Sequence, residues 1–411
     1  MFKGCALIAL AFLFCSCATH SGAMSPIRNE LRQDRCDTAL PKLEKMTESP
    51  SDDQLLYLME YGSALQICRD FKKSNSILQK ADKLSDELEY LSISRGVGAT
   101  LLNEEMLQYK GDKFERLLLN AMGAINYLQM NDFENAMVEV RRINEKTKRF
   151  AEKEKLNFEL NSFASYLAGL IYEAGGQFDD ACIAYRRSFE LDKSFSAVGR
   201  DLLSACWRAR RTKDFKEAEA LTGLGSADVE AAKDLRSKKN EKIILFLQGW
   251  GPQKVPRRED HRFPALAPSL SDTKQLMASA AEPSSSYVAF SQVVYNIEKA
   301  AIETMEEDYR TLGARRFGAR VAKEVVADQI RQKDKALGDI AWLVMVASER
   351  ADLRNWSLLP ESVQVIRINA DEVTKLKLVG RNPASGIGED LGIIDFSSEP
   401  SKKIYVIRSL K

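Results

Sequence analysis

Chemistry has few places to settle in this 411-residue chain. It holds two histidines, His20 and His261. A nucleophile–histidine–acid set or a His/Cys metal site would have to form around one of them. His261 stands in a basic, proline-rich loop, where a solvated side chain is the plain reading. His20 lies close to the N-terminus. Carboxylates are abundant, and a pair such as Glu104 and Glu105 has the chemistry of a glycosidase, but no pattern marks a cleft around them. The expectation is a non-enzyme with no catalytic residues, no metal and no cofactor. Cysteine is the more informative type. Of seven, Cys5, Cys15 and Cys17 crowd the N-terminus, while Cys36, Cys68, Cys182 and Cys206 are dispersed. No Cys-x-x-Cys occurs beyond residue 17, so neither a zinc ribbon nor a thioredoxin-like site is signalled.

The chain opens MFKGCALIALAFLFCSCATHSGAMS. Lys3 supplies a basic start, and Ala6 to Phe14 is an apolar run too short to span a bilayer. Phe14-Cys15-Ser16-Cys17 resembles the bacterial lipoprotein signal, in which an apolar, a variable and a small residue precede the modified cysteine. Phe14 is bulkier than the usual leucine, and it is too large to sit beside the cleavage site of Cys15. The resemblance makes residues 1–16 a signal peptide and Cys17 an acylated N-terminus, held by several chains more firmly than by one. Ala18, and not Asp, follows Cys17, which points to the periplasmic face of the outer membrane. The alternative is an ordinary secretory signal cut near Ala23. Export would permit disulfides. Cys36–Cys68 and Cys182–Cys206 would each join adjacent helices, although Cys182 and Cys206 also suit slots for small buried residues.

The elements around these cysteines repeat. Ser162 to Lys193, SFASYLAGLIYEAGGQFDDACIAYRRSFELDK, reads as one helix–turn–helix unit. Gly169 and Ala181 are small where two helices approach, Tyr172, Phe178 and Tyr185 fill between them, and Gly175-Gly176 closes the first helix. This is the tetratricopeptide pattern. Leu117 to Phe150 fits the same frame, as does Leu55 to Tyr90. Cys206, Asp214-Phe215 and Ala218 make a truncated fourth copy, and Cys36 to Met46 a half-repeat that could cap the stack. Such units bury their apolar faces by stacking, so residues 17–225 are expected to form an α-solenoid of tetratricopeptide-like helical hairpins. Phe163, Tyr166 and Leu170 then line its groove, open to a partner peptide or covered by the C-terminal part of this chain. Glu139 and Arg142, three apart, face the same way on a helix and read as an ion pair. The competing reading puts Glu139 and Arg141 in the groove as partner-binding residues.

Residues 85–116 interrupt the spacing and read as a helix and a loop; Gly96 and Gly98 are not followed by the Gly-Lys-Ser/Thr of a phosphate loop. Residues 226–241 read as a linker with a short helix from Ala227 to Arg236. A smaller α+β domain follows over 242–411. Lys242 to Leu247 is a continuously apolar, buried strand, and Trp250 in the turn after it caps a core or makes an exposed contact. Residues 256–286, rich in Pro and Ser, read as a loop. Tyr295 to Ser348 reads as two or three amphipathic helices. Four strand candidates follow, Val363–Ile368, Thr374–Val379, Gly392–Phe396 and Ile404–Ser409, whose alternation suits one sheet covered on one face. Asp352 and Arg354, two apart, can pair around a turn with Trp356 packed beneath.

Length and composition fit such an assembly. Hydrophobic residues at 45% and charged ones at 29% are ordinary for globular protein. The formal net charge of +1 signals no polyanion such as nucleic acid. No later run is apolar and long enough to cross a membrane, Ile340 to Ala347 being far too short.

VEVRR after NYL…ND, FLQGWGPQK, DLRNWSLLP and the closing IYVIRSL together carry a resemblance. The chain is similar to a family of bacterial outer-membrane lipoproteins with tetratricopeptide-like repeats and a C-terminal α+β domain. The resemblance covers most of the chain after Cys17 and brings no catalytic residues with it. The family's genes lie near those of penicillin-binding-protein activators and curli-channel-like lipoproteins, which implies work in cell-envelope assembly. The expected function is a lipid-anchored periplasmic scaffold that holds an envelope protein in its repeat groove. The alternative is a cell-wall glycan-binding module, or a rare hydrolase, acting through the C-terminal domain. Asp352, Arg354, Trp356 and Trp250 are the motif residues to which neither reading assigns a role.

Overall fold

A computed structural model describes residues 20–95, 108–154, 160–234, 240–282, 285–307, 328–335 and 351–411 without 387, and isolated positions at 309, 325, 337 and 339. Cys17, Glu104, Glu105 and the run 340–347 lie outside the described residues, as does most of the helical segment expected over 308–348.

The N-terminal half is built from helical hairpins that turn in one way. α1 (His20–Arg32) and α2 (Cys36–Glu48) form the first, α3 (Gln54–Ile67) and α4 (Phe71–Arg95) the second, α5 (Lys113–Gln129) and α6 (Phe133–Glu154) the third. α7 (Leu160–Ala174) with α8 (Phe178–Leu191), and α9 (Ser196–Arg208) with α10 (Thr212–Thr222), complete the series. Each first helix ends on a left-handed residue: Asp34, Arg69, Asn131, Gly176 and Arg210. The amide after it reaches back to close the last turn, as in Asp132 N to Tyr127 O at 2.9 Å and Gln177 N to Tyr172 O at 2.8 Å. The left-handed residue's own amide makes the second bond, Asn131 N to Leu128 O at 3.0 Å. This pair of bonds is the Schellman stop. Its recurrence at five turns makes these hairpins one repeated unit. The expected half-repeat at Cys36 is therefore the second helix of a full hairpin, because α1 precedes it.

Close approach within hairpins needs small residues. A Cβ on Gly169 would stand 2.5 Å from the Tyr185 ring, and one on Gly62 2.6 Å from Leu78. Both cystines are present: Cys36–Cys68 ties α2 to the end of α3, and Cys182–Cys206 ties α8 to α9. The short helix expected within the 226–241 segment is present as α11 (Ser226–Asp234), and it is no free linker, since it buries Val229 and Ala232 and packs on α9. Two apolar residues three apart are enough to dock a short helix. No helix among the described residues is long and apolar enough to cross a membrane.

Strands then form two four-stranded sheets, not the one expected. The first has order β10 (Ile404–Arg408), β1 (Glu241–Gln248), β7 (Ser362–Asn369), β6 (Gln292–Asn296). The second has order β5 (Val288–Phe290), β4 (Gln275–Ala280), β8 (Lys375–Arg381), β9 (Gly388–Asp395). β1 runs parallel to β10, with Leu245 opposite Val406, and antiparallel to β7, with Leu245 opposite Val365. Its apolar run has a simple cause. Ile243, Leu245 and Leu247 share a core with the helices, while Ile244 and Phe246 pack with Leu276, Leu378 and Tyr405 between the sheets. A strand buried on both faces loses its alternation. β3 (Pro264–Ala267) and β4 fall inside the segment expected to be loop, β3 pairing with β2 (Gln253–Pro256) at its leading edge. Pro256 and Pro264 face each other at the end of that ladder, a place where proline is tolerated. A helix over 297–307 begins directly after β6, so Tyr295, expected to open it, is a strand residue instead.

Candidate functional site: the groove and its occupant

The first helices of successive hairpins face the C-terminal half of the same chain. Phe163, Tyr166 and Leu170 on α7 are at most 1% exposed. The Phe163 ring lies flat on Tyr295 of β6, centroids 4.5 Å apart at 7°. Tyr166 donates its hydroxyl to Asp201 at 2.9 Å. These three residues are thus not open to a partner. Apolar groove residues gain most by leaving water, and the tethered sheet is the nearer way to do so.

The DLRNWSLLP stretch occupies the other end of the groove. Glu60, fully buried in the middle of α3, accepts from the amides of Ser357 at 2.7 Å and Leu358 at 3.1 Å. His20 Nε2 stands 3.0 Å from the same carboxylate. Glu115 on α5 accepts from the Trp356 amide at 2.6 Å and from Asp112 N at 2.8 Å, and Tyr109 hydroxyl also donates to it. The Trp356 indole is buried and donates to Ser63 Oγ at 2.9 Å. As expected, Arg354 folds back on Asp352, Nη2 to Oδ2 at 2.7 Å; it also crosses to Asp53 on the helical side at 2.7 Å. Backbone amides captured by buried carboxylates make charge-assisted bonds. The motif is a structural clasp.

Burial, with Asp112 adding to it, pushes the Glu115 carboxyl up to about 7. Burial alone would depress Arg354, but Asp352 and Asp53 hold it well above the usual guanidinium value.

A second clasp closes the far end. Arg367 on β7 donates to Asp201 at 2.6 Å, to Glu173 at 3.0 and 2.8 Å, and to Glu241 at 3.1 Å. Arg208 joins Glu173 at 3.1 Å and Glu241 at 2.6 Å. Burial pushes Glu173 up, but Arg367 and Arg208 more than reverse it and leave the carboxyl below its ordinary value. At Asp201 burial wins, and the carboxyl stays above its ordinary value.

Glu139 is buried on α6, accepting from Asn120 at 2.8 Å and from Arg142 at 3.1 Å. The ion-pair reading of Glu139 and Arg142 holds, and Glu139 is not a groove contact. Burial raises its carboxyl. Arg141 is exposed on the same helix. Trp250 is buried and donates to Leu410 O at 2.8 Å, which makes it the core cap and not the exposed contact. His261 is exposed. Sequence reasoning missed Glu60, Glu115, Glu173 and Arg367. The available signal is a lone carboxylate inside an apolar helix, as in QLLYLMEYGSAL for Glu60.

No protein-family model matches the chain, and no curated protein matches it. Solved structures with which it aligns include MamA from Desulfovibrio magneticus RS-1, at 16% identity over 52% of this chain and 95% of that one, TM-score 0.33. A putative kinesin light chain of Podospora anserina with nearly identical TPR-like repeats aligns at 14% identity over 53% of this chain and 95% of that one, TM-score 0.35. BtubC (BKLC) from P. vanneervenii aligns at 15% identity over 53% and 76%, TM-score 0.31. The repeat assignment rests on the five matching turns and not on these values.

Proposed function

We propose that this protein is a non-catalytic scaffold, tethered through acylated Cys17 to the periplasmic face of the outer membrane, that holds an envelope protein on the outer surface of its helical hairpins. The observation that carries this reading is the division of exposure within hairpins. The first helices α3, α5, α7 and α9 are largely buried under the C-terminal half, whereas the second helices carry exposed Tyr90 on α4, Val138 and Arg141 on α6, and Ile183 and Leu191 on α8. The groove is spent on holding the chain's own second half. Two cystines support an oxidising compartment. The lipoprotein-like signal supports the tether.

The test has two arms. Cys17→Ser should move the protein from the membrane to the soluble fraction, and unchanged fractionation would remove the tether. Affinity capture from detergent-solubilised envelope should recover a stoichiometric partner that Arg141→Glu releases. Undiminished capture by Arg141→Glu and by Ile183→Asp would remove the outer-face reading.

A further inference from the structure

Polar side chains buried between helices are as a rule hydrogen-bonded to one another. Where α4, α5 and α6 meet, two are left incomplete. Asn75 of α4 and Asn120 of α5 are at most 4% exposed. Asn75 Oδ1 accepts from Asn126 at 2.8 Å, which leaves its Nδ2 to donate. Asn120 Nδ2 donates to Glu139 at 2.8 Å, which leaves its Oδ1 to accept. Neither of these remaining atoms meets a partner among the described residues. Both asparagines line one cavity of about 10 Å³, walled also by Gly123 and Glu139. That is room for a single oxygen-sized group. A group of that size that accepts from Asn75 and donates to Asn120 is a hydroxyl. A carboxamide has both functions but needs two polar atoms side by side, an ammonium cannot accept, and a carboxylate cannot donate.

The small cavity adjoins a wider cleft of about 590 Å³ between α4 and α6, with Gln79 and Asp82 in the walls of both. The charges of this cleft are already balanced. Lys83, Arg142, Lys146 and Arg149 stand against Asp82, Asp86 and Glu145, with Glu139 behind them. The buried Lys146 ammonium pairs with Asp82, Arg149 with Asp86 at 3.1 Å, and Arg142 with Glu139 at 3.1 Å. No ion is needed to neutralise such a wall.

Hydrogen-bonding capacity is nevertheless left over. A guanidinium carries more N–H donors, and a carboxylate more lone pairs, than one ion pair occupies. The buried Nε of Arg149 has no acceptor among the described residues. A neutral ligand dense in hydroxyls suits donors and acceptors interspersed in this way, because each hydroxyl both donates and accepts. We propose that the cleft between α4 and α6 binds a neutral sugar, one hydroxyl of which enters the small cavity between Asn75 and Asn120. The site needs neither the tether nor a protein partner on the outer face.

Gly123 gives the test. A Cβ there would lie 3.6 Å from Glu139 Cγ and 3.7 Å from Asn75 Oδ1, both ordinary contact distances. Gly123→Ala therefore fills the small cavity with a methyl group without forcing its walls apart. Alanine also favours a helix interior over glycine, so the thermal midpoint should hold or rise. Binding is read by calorimetric titration of the full chain with glucose, N-acetylglucosamine and chitobiose, with inorganic phosphate beside them. The expected result is saturable binding of at least one sugar by the wild type, weakened about tenfold or more in Gly123→Ala. Arg149 is partly exposed on the cleft wall, so Arg149→Ala, expected to weaken binding about threefold, serves if Gly123→Ala fails to fold. Lack of saturable binding of all three sugars, binding of phosphate alone, or equal sugar affinity in the wild type and the folded variant would overturn the proposal.

Discussion

Arg367 of β7 grips Glu173 of α7 with two hydrogen bonds, 3.0 and 2.8 Å, across the seam between helices and sheet. The pair is buried, and Glu173, Asp201 and Glu241 converge on the one guanidinium. Removing one member of a buried ionic cluster costs more than the cluster contributes, since the remaining charges stay desolvated. Arg367→Met should therefore destabilise the protein by about 3–5 kcal/mol, read from the midpoint of denaturant unfolding. A loss below about 1 kcal/mol would mean that the seam is wet or open.

Glu115 gives the other clasp a pH dependence. Its folded carboxyl is raised to about 7 from an ordinary 4.5. The folded state thus holds this proton more tightly than the unfolded chain does, and its contribution is fully present below the unfolded value. That contribution is lost as pH rises through the folded value. Thermal midpoints should fall between about pH 5 and about pH 8, and Glu115→Gln should flatten part of that fall while keeping an acceptor for the Trp356 amide. An identical slope in wild type and variant would show that Glu115 titrates normally.

Arg210 carries the left-handed turn between α9 and α10 at φ 58°. A side chain there costs roughly 1 kcal/mol that glycine avoids. Arg210→Gly should stabilise the protein by up to about 1 kcal/mol, and a loss of stability would mean that the Arg210 side chain is held by contacts of its own.

The hairpins were readable because their signals are local. Gly169 and Tyr185, or Asn131 and Asp132, sit within one hairpin, and the small–aromatic frame repeats the same steric demand. The Asp352–Arg354 turn was readable for the same reason, its partners being two residues apart. The occupant of the groove was not. Whether Phe163 meets a foreign peptide or Tyr295 depends on a contact between distant parts of the chain, and apolar surface accepts either. The second sheet was hidden likewise: β4 pairs with β8 about a hundred residues later, Met277 opposite Val379. Short strands edged by proline carry little periodicity of their own. Glu60 and Arg367 drew no role from the sequence because nothing nearby in it names their partners.

The central claim is that the groove of the helical hairpins is filled by the chain's own C-terminal half. Hydrogen exchange of the intact protein, read at the amides of Trp356, Ser357 and Leu358, addresses it directly, because in the closed groove these amides point at Glu115 and Glu60. Protection comparable to that of the β1 amides, lost together with groove protection at 163–170 in a Glu60→Ala variant, is the expected result. Exchange of the three amides at the rate of a free loop in the wild-type protein would contradict it.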